Sequence, residues 1–492
     1  MSASLADRAG QFTFERFSTA IFFLALMLAA CLMPAQTDTW WQLRTGEEMW
    51  RSHQVMLRDE FSHTVAGGYW PNHEWLAQIV FYAAYRAGGL PLLTALCAAA
   101  VTLTWAIIAS LTPGPRFTRL VLLGAGVVMS GPAWSLRPQV FSLALVALTL
   151  WILVRRRWLW SLPALFLVWA NLHGAVALGG VIMAAAIVAA LVNREQIRTL
   201  APIAVACLFA TAATPLGFTL WSEVPSSLAR LHSYGVLEWQ PPGLAIMDAP
   251  FWLAALAAIV LVFINRASLL TSWSTVLLGA CALMFLILSI KTRRNIPTFV
   301  LCTVPLIGTL LNQERRQAVA ARVERPMLNA IAFAAMAVIG VLFVGQAWRQ
   351  PLPRLGWTPM PADLRRAVTN CPGRLYNRYD DGGYLIWFAR DKKVFMDSRQ
   401  DPYSEDIVHG HIQLETSGDY RELFERYDIG CALTVPGSPL ATRLERDGWP
   451  RESGAGSWVV FTRPMAPVQS VPERLAAVPS PNWGHSPFAL SH

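Results

Sequence analysis

The sequence has few charged residues for its length. Only 14% of the 492 residues are Asp, Glu, Lys or Arg, whereas about a quarter of the residues in a soluble domain are charged. This scarcity excludes an ordinary soluble enzyme, because the chain lacks the side chains that would cover a water-exposed surface. The corresponding excess of hydrophobic residues, 54% with 21 Trp, indicates a membrane protein that crosses the bilayer many times.

Several well-known enzyme motifs are also absent. The sequence contains no Walker loop, no dinucleotide-binding glycine fingerprint, no nucleophile elbow and no Cys-x-x-Cys pair. It has no internal repeat of the length that solenoids and propellers require. Nothing in the sequence therefore indicates a reaction that uses cytoplasmic ATP.

Positive charge is concentrated in the first part of the chain. Residues 1–350 have a formal net charge of +10 and the remaining residues a net charge of −1. In a soluble protein such an excess would suggest nucleic-acid binding, but here the Arg residues lie between long apolar segments. This pattern is typical of cytoplasmic loops that obey the positive-inside rule. We therefore expect membrane lipid as a partner and no nucleic acid.

The apolar segments predict a polytopic α-helical membrane protein with about 11 transmembrane helices. They lie near residues 17–35, 90–111, 119–134, 138–154, 159–172, 175–192, 199–216, 249–265, 268–289, 296–312 and 327–346. Several are shorter than the roughly 20 residues that a bilayer requires, so their boundaries are approximate. With the N-terminus in the cytoplasm, the short cytoplasmic loops contain most of the Arg residues and the C-terminal part lies outside. The predicted location is a bacterial inner membrane.

Two polar segments fall on the outer side. Residues 37–89 form a long loop within the membrane domain (1–350), and residues 355–463 are predicted to form a small extracytoplasmic α/β domain. In that domain LYNRY, GGYLIWF, KKVFMDS, IGCALTV and GSWVVFTR predict strands, and DYRELFERY predicts a helix. Residues 464–492 are rich in Pro and are predicted to be disordered.

Two of the seven cysteines, Cys371 and Cys431, fall in the C-terminal domain on the oxidising side of the membrane. A disulfide between them and a pair of free thiols are both open alternatives, because spacing alone does not establish proximity. The other five lie in apolar segments, where we expect small buried side chains.

The first outer loop contains the most informative acids. Asp38 follows the first span directly, so we expect it at the membrane surface beside Trp40 and Trp41. A carboxylate there can serve as a general base toward a hydroxyl group. The alternative is that Asp38 caps a helix over residues 39–50. His73 and Glu74 precede an amphipathic helix over 74–87, which is expected to lie in the interface.

The three histidines of this loop do not predict a metal site. His53, His63 and His73 are ten residues apart, a spacing that matches no compact metal-binding motif. We assign no metal ligands and expect hydrogen-bonding or surface imidazoles. No cofactor is assigned with certainty, and a divalent metal stays an open alternative.

A second group consists of cations that lie on the outer side, against the orientation rule. These are Arg137, Lys291, Arg293 and Arg294. Arg can bind phosphate oxygens with two parallel hydrogen bonds, so these residues are candidate ligands of a lipid-linked phosphate. The alternative is that they pair with nearby acids, namely Asp38, Glu74, Glu238 or Asp248.

Three further polar residues are candidate substrate contacts. Asn171 and His173 lie in an otherwise apolar hairpin and are expected to face a cavity rather than lipid, although a structural role for His173 fits equally well. Glu238 lies in a later outer loop and is a weaker candidate. In the C-terminal domain, residues 379–387 are interpreted as a turn that leads into a strand, with Gly382 and Gly383 allowing close backbone approach.

The acids near residue 400 allow two interpretations. Asp397, Arg399 and Asp401 follow a predicted strand and could bind a sugar or polymer. An internal ion pair that stabilises the loop is the alternative.

The overall pattern resembles the GT-C glycosyltransferases, which include protein O-mannosyltransferases and the aminoarabinose transferases of lipid A. The resemblance rests on one span followed by D-T-W-W, then F-S-H-T, N-H-E-W-L, L-R-P-Q, N-L-H-G and G-G-Y-L-I-W, and it covers most of residues 17–463. Asp38 matches the position of the family's catalytic acid. The family's Asp-Glu pair is Asp38-Thr39 here, and its Lys-Pro-Pro segment is replaced by Asn72-His73-Glu74.

The resemblance implies transfer of a sugar from a polyprenyl-phosphate carrier to an extracytoplasmic acceptor, which could be a glycan, a lipid or a protein. Asp38 would deprotonate the acceptor, and the outer cations would bind the carrier phosphate. Two alternatives belong to other classes. One is a transporter or flippase of a lipid-linked sugar, and the other is a non-catalytic scaffold in envelope polysaccharide synthesis.

Overall fold

The computed structural model describes residues 12–223, 225–226, 236–312, 324–350, 355–455 and 457–464. The described chain is mainly helical and ends in a small sheet domain. The predicted C-terminal tail lies outside the described residues apart from Pro464.

Helices lie at all eleven predicted apolar positions, and two further described helices lie in the first loop and at residues 266–269. Their bounds are α1 Phe14–Ala30, α2 Thr37–Ser52, α3 Trp75–Leu111, α4 Arg116–Ser130, α5 Gln139–Arg155, α6 Leu162–Leu172, α7 Val176–Asn193, α8 Ile197–Ala210, α9 Ala249–Ile264, α10 Arg266–Leu269, α11 Trp273–Lys291, α12 Ile296–Asn312 and α13 Pro326–Arg349.

Five of the described segments are long and apolar enough to cross a bilayer. They are Trp75–Leu111, Val176–Asn193, Trp273–Lys291, Arg293–Asn312 and Pro326–Arg349. The expected count of about 11 is not confirmed, because several other helices are short. A helix rises about 1.5 Å per residue, so the 11 residues of α6 extend about half of the roughly 30 Å of hydrocarbon.

Helix α3 combines two segments that the sequence predicts separately. The interfacial helix over 74–87 and the span that starts at 90 form one helix with a break at Gly88 and Gly89. Gly89 has a φ of 65°, a conformation that costs glycine little and other residues more. Packing of α3 against α1, α2 and α5 places the first loop over one end of the helical bundle.

The C-terminal domain contains a four-stranded sheet in the order β1-β2-β4-β3. Strands β1 (Arg374–Asn377) and β2 (Ile429–Thr434) are parallel, whereas β4 (Trp458–Thr462) is antiparallel to both β2 and β3 (Arg451–Ala455). The helices of this domain are α14 Ala362–Thr369, α15 Tyr379–Phe388, α16 Glu405–Ser417, α17 Arg421–Arg426 and α18 Pro439–Arg446. A disulfide joins Cys371 to Cys431, with their Cα atoms 5.9 Å apart, so the disulfide alternative is confirmed.

Two predicted strands of this domain are wrong. GGYLIWF forms helix α15, because a helix directs Tyr384 and Phe388, four residues apart, to the same side, where their rings contact Trp40. The interpretation of residues 379–387 as a turn leading into a strand is wrong for the same reason. Close backbone approach is confirmed at Gly383, where an added Cβ would lie 2.1 Å from the carbonyl oxygen of Thr37.

The segment KKVFMDS does not form a strand of the sheet. Within the described residues it makes one isolated bridge, from Val394 to Ser62 of the first loop, and the side-chain oxygen of Asn377 accepts a hydrogen bond from the Phe395 amide. The first loop and the C-terminal domain thus share a hydrophobic core that includes Trp41 and Leu385. This shared core fixes residues 394–401 against the start of α2.

Candidate active site

The start of α2 presents Asp38 without using it as a cap. Gln36 is the N-cap residue, and the backbone amide of Gln36 donates to the hydroxyl of Thr39 in a reciprocal capping box. The hypothesis that Asp38 caps this helix is therefore wrong. Asp38 lies in the first turn, where the helix dipole favours a negative charge.

Three side chains hold the Asp38 carboxylate. Oδ2 accepts a hydrogen bond from Nη1 of Arg137 at 3.1 Å, and Oδ1 accepts from the Ser398 hydroxyl. The indole nitrogen of Trp41 lies 3.2 Å from the same Oδ1 and 3.1 Å from the Ser398 oxygen. The carboxylate is thus fixed in position and still 20% exposed, so that a bound molecule can reach it.

A chain of alternating charges extends from Asp38. Arg137 bridges Asp38 and Glu238, with Nη2 3.2 Å from a Glu238 oxygen. The other oxygen of Glu238 lies 2.6 Å from Nη1 of Arg294, whose guanidinium stacks 4.6 Å above the Trp239 ring. Burial alone would raise the pKa of Glu238, but the two arginines outweigh it and lower that pKa to about 2. Glu238 is therefore ionised at neutral pH.

The remaining predicted cations lie beside this chain. Arg293 forms two hydrogen bonds with Asp248, at 2.9 and 2.8 Å. Lys291 is exposed at the end of α11 and forms no ion pair within the described part of the chain. The alternative of pairing with nearby acids is therefore confirmed for all three arginines. Arg294 retains unpaired N–H donors with respect to the described residues.

A second buried group surrounds Glu74. His173 Nε2 lies 3.1 Å from one carboxylate oxygen, and the Gln42 amide donates to the other. On the other side of the imidazole, the Trp169 indole donates to the Ser142 hydroxyl, which lies 2.8 Å from His173 Nδ1. Because an indole only donates, the Ser142 proton is free to point at Nδ1, which leaves the Nε2 proton for Glu74. This arrangement favours a neutral His173.

The ionisation states of this pair follow from burial and hydrogen bonding. Burial alone would raise the pKa of Glu74, but the hydrogen bond from His173, the charge interactions with His173 and His73 and the hydrogen bond from Gln42 together lower that pKa to about 2. Burial lowers the pKa of His173 below its ordinary 6.5, against the opposing effect of Glu74. Glu74 is therefore a carboxylate and His173 a neutral donor at neutral pH.

The neutral state of His173 predicts that the folded protein becomes less stable as the pH falls. An unfolded His173 binds a proton below about pH 6.5 while the folded residue stays neutral, so the stability that it contributes falls as the pH decreases from 6.5. We expect the thermal midpoint to fall between pH 7 and 5, and to fall less steeply in His173→Gln. The two slopes differ by at most about 1.4 kcal/mol per pH unit, the value for one proton.

His63 and His411, whose pKa values are also lowered by burial, remain in both proteins of this comparison. Their effect therefore cancels. Parallel slopes for wild type and His173→Gln would contradict a neutral buried His173.

His73 and Asn171 complete this second group. The imidazole of His73 packs against Gly174, where an added Cβ would lie 2.7 Å from the ring. Its nitrogens lie 4.0 Å from Glu74 and 3.9 Å from Asp401. Asn171 accepts a hydrogen bond from the Trp75 indole at 2.9 Å and is largely buried, which indicates a structural role near the site.

Most of the predicted site residues thus lie at one end of the helical bundle. One chain consists of Asp38, Arg137, Glu238 and Arg294. The neighbouring group consists of His73, Glu74 and His173. The positive charge of Arg294 helps to lower the pKa of His173. Ser398, Gln42 and Ser142 were not predicted from the sequence. Ser398 lies 360 residues from Asp38, and its only sequence indication is its place in the F-M-D-S-R segment between two charged residues.

Asp397 and Arg399 form an internal ion pair, as the second interpretation predicts, whereas Asp401 lies outside this pair and 3.9 Å from His73. Arg399 is fully buried and contacts Asp397 at 2.7 Å and Asp59 at 2.5 Å. The Tyr403 hydroxyl donates to Asp397 at 2.6 Å. This buried cluster ties the first loop to the C-terminal domain and positions Ser398 between its members.

The side chains that the structure describes do not form a metal site. Within the described residues no group of three or more His, Cys, Asp and Glu side chains is arranged to hold a metal ion. Arg137 lies between the carboxylates of Asp38 and Glu238, so they do not converge on a shared point. We therefore derive no step through a metal.

No protein-family model and no curated protein matches this sequence. Among solved structures, the archaeal oligosaccharyltransferase AglB from Archaeoglobus fulgidus, in complex with an inhibitory peptide and a dolichol-phosphate, aligns with a TM-score of 0.54 and 9% identity. That alignment covers 85% of this chain and 69% of AglB. ArnT from Cupriavidus metallidurans bound to undecaprenyl phosphate aligns with a TM-score of 0.53 and 15% identity, covering 90% of this chain and 97% of ArnT.

Both solved structures contain a lipid phosphate, dolichol-phosphate in AglB and undecaprenyl phosphate in ArnT. At such low identities the similarity establishes the fold. The chain shares the fold of these two solved structures.

Proposed function

We propose that the protein is a membrane glycosyltransferase that transfers a sugar from a polyprenyl-phosphate carrier to an acceptor hydroxyl. One observation carries the proposal. Asp38 is a carboxylate at the position of the GT-C catalytic acid, and it lies 3.1 Å from the guanidinium of Arg137. Arg137 in turn belongs to a chain of alternating cations and acids. A general base and anion-binding groups thus adjoin one another on a fold whose solved neighbours act on polyprenyl-phosphate carriers.

In this mechanism the acceptor oxygen attacks the anomeric carbon of the sugar. Its proton passes to Asp38, and the bond between the anomeric carbon and the carrier phosphate breaks, so that the phosphate leaves with the electron pair. Arg294, which has unpaired N–H donors, and the exposed Lys291 stabilise the departing phosphate. Arg137 and Ser398 hold Asp38 in place for the proton transfer.

The second group orients the substrate. Glu74 stays ionised and accepts hydrogen bonds from His173 and Gln42, so it forms a fixed acceptor surface toward sugar hydroxyls, beside His73. Residues 1–350 constitute the catalytic membrane domain in this proposal, with residues 355–463 as an extracytoplasmic domain that completes the site through Ser398. The protein would lie in a bacterial inner membrane with its N-terminus in the cytoplasm.

The convergence of these groups favours an enzyme over the alternatives. A flippase needs polar residues deep along a path between the helices, whereas the charged groups described above gather at one end of the bundle. A scaffold does not require a positioned carboxylate next to anion-binding donors.

A deletion strain tests this function. We expect lipid analysis to show an accumulated polyprenyl-phosphate-linked sugar, because its consumer is missing, and we expect the wild-type gene to reverse the accumulation. Unchanged carrier lipids and unchanged envelope glycans would contradict the proposal and favour a scaffold.

A further inference from the structure

The loop between Trp239 and α9 displays apolar side chains to an unusual degree. Leu244 is 98% exposed and Ile246 is 92% exposed, the highest values among the large hydrophobic residues of the described chain. Met247 is 65% exposed. In water such a cluster is unfavourable, because the transfer of apolar surface out of water lowers the free energy. We refer to Leu244, Ile246 and Met247 as the apolar tip.

The base of this loop is tightly closed, so the exposure follows from a defined structure. The amide of Gly243 donates to Asp248 Oδ2 at 2.8 Å, and the Trp252 indole donates to the Gly243 carbonyl at 2.8 Å. Arg293 holds the same Asp248 with two charge-assisted hydrogen bonds. Four hydrogen bonds therefore fix both ends of a short turn whose side chains point away from the protein.

The position of the loop indicates what covers the apolar tip. Asp248 directly precedes the apolar helix α9, and Arg293 is the first residue of the candidate membrane span Arg293–Asn312, which contains α12. Both ends of the loop thus lie at the ends of membrane helices, at the interface between the bilayer and water. At this depth apolar side chains contact the acyl region and charged side chains contact the lipid headgroups. Just before the loop, Glu238 and Trp239 contact Arg294.

We propose that the apolar tip inserts into the hydrocarbon boundary of the lipid bilayer and anchors the segment that carries Glu238. The partner is the lipid surface itself, not a second protein. The insertion holds the Arg294 guanidinium at the level of lipid headgroups, where a membrane-bound phosphate lies. The insertion does not depend on the proposed glycosyltransferase function, although it would serve it.

A spin label tests the insertion directly. Leu244→Cys can be labelled selectively, because five native cysteines are buried and the other two form a disulfide. In phosphatidylcholine bilayers we measure collisions of the nitroxide with oxygen, which concentrates in hydrocarbon, and with a water-soluble nickel chelate. Leu256→Cys, halfway along α9, is the lipid-facing control, and Asp363→Cys, exposed on α14, is the aqueous control.

We expect the ratio of oxygen collisions to nickel-chelate collisions to be about threefold or more higher at position 244 than at position 363. The reason is that the apolar tip lies roughly 5–10 Å within the boundary region of the bilayer. Adding Ile246→Asp to the labelled protein should move the ratio toward the aqueous control, because a charge disfavours insertion. A ratio equal to that at position 363 would overturn the proposal. Low accessibility to both reagents would overturn it as well, because it would show a protein partner over the tip.

Discussion

Replacement of Asp38 by Asn is expected to reduce turnover by about 10²–10⁴-fold, the usual contribution of one positioned base. The amide can still accept hydrogen bonds from Ser398 and Trp41, but it cannot take the acceptor proton. It also removes the negative charge next to Arg137. The measurement is the rate at which purified protein in liposomes releases polyprenyl phosphate from a lipid-linked donor.

The effect should be confined to chemistry. Asp38 is partly exposed, and Arg137 keeps its partner Glu238 in the variant, so the thermal midpoint should stay close to that of the wild type. Asp363→Asn, at an exposed position on α14, is the matched control and should retain full turnover. Wild-type turnover in Asp38→Asn would remove Asp38 from the mechanism.

Replacement of Arg399 by Met should destabilise the protein by about 3–5 kcal/mol, the usual effect of removing one partner from a buried ion pair. Its side chain is fully buried between Asp59 and Asp397, and its guanidinium lies over the rings of Phe61 and Trp70. Without it two carboxylates remain buried with no cation. We expect the thermal midpoint of the C-terminal domain to fall by about 12–20 °C, since 1 kcal/mol corresponds to about 4 °C in a domain of this size.

Two controls separate the buried charge from general damage. Arg366→Met breaks an exposed pair with Asp363 and should change stability by less than about 1 kcal/mol. Replacing Asp59 and Asp397 by Leu together with Arg399→Met removes every charge of the cluster and should recover much of the lost stability. A neutral effect of Arg399→Met alone would contradict the role of this cluster in joining the first loop to the C-terminal domain.

The positions of the membrane helices could be predicted because they depend on local composition. A long apolar segment indicates a helix wherever it lies, and all eleven positions contain one. The residues at which these helices end, and whether each helix spans a bilayer, depend on tertiary packing. A local sequence pattern does not indicate that packing. The break at Gly88 and Gly89 illustrates this, because it turns two predicted elements into one bent helix.

The pairing of site residues could be predicted only in part. The acids that neutralise Arg137, Arg293 and Arg294 lie 45 to 101 residues away along the chain, and they could be named as candidates because few acids are available on that side. The contact between Ser398 and Asp38 spans 360 residues. It depends on how the C-terminal domain packs on α2, which no local pattern indicates.

The error in α15 has a physical cause as well. An apolar aromatic segment after two glycines favours a strand by local propensity, but here the packing partner is α2 rather than another strand. Gly383 contacts the Thr37 backbone closely, and aromatic rings of α15 pack on Trp40. Tertiary packing therefore overrides the local preference at the point where the C-terminal domain meets the candidate catalytic carboxylate.

In the proposed reaction Asp38 accepts the proton of the acceptor hydroxyl while the carrier phosphate departs. The most direct measurement supplies lipid extract from a deletion strain to purified protein in liposomes and quantifies free polyprenyl phosphate by mass spectrometry. We expect wild type and Asp363→Asn to consume the lipid-linked sugar and release polyprenyl phosphate, whereas Asp38→Asn should release at least about 100-fold less. Equal release by Asp38→Asn, or no release by the wild-type protein, would contradict the proposed reaction.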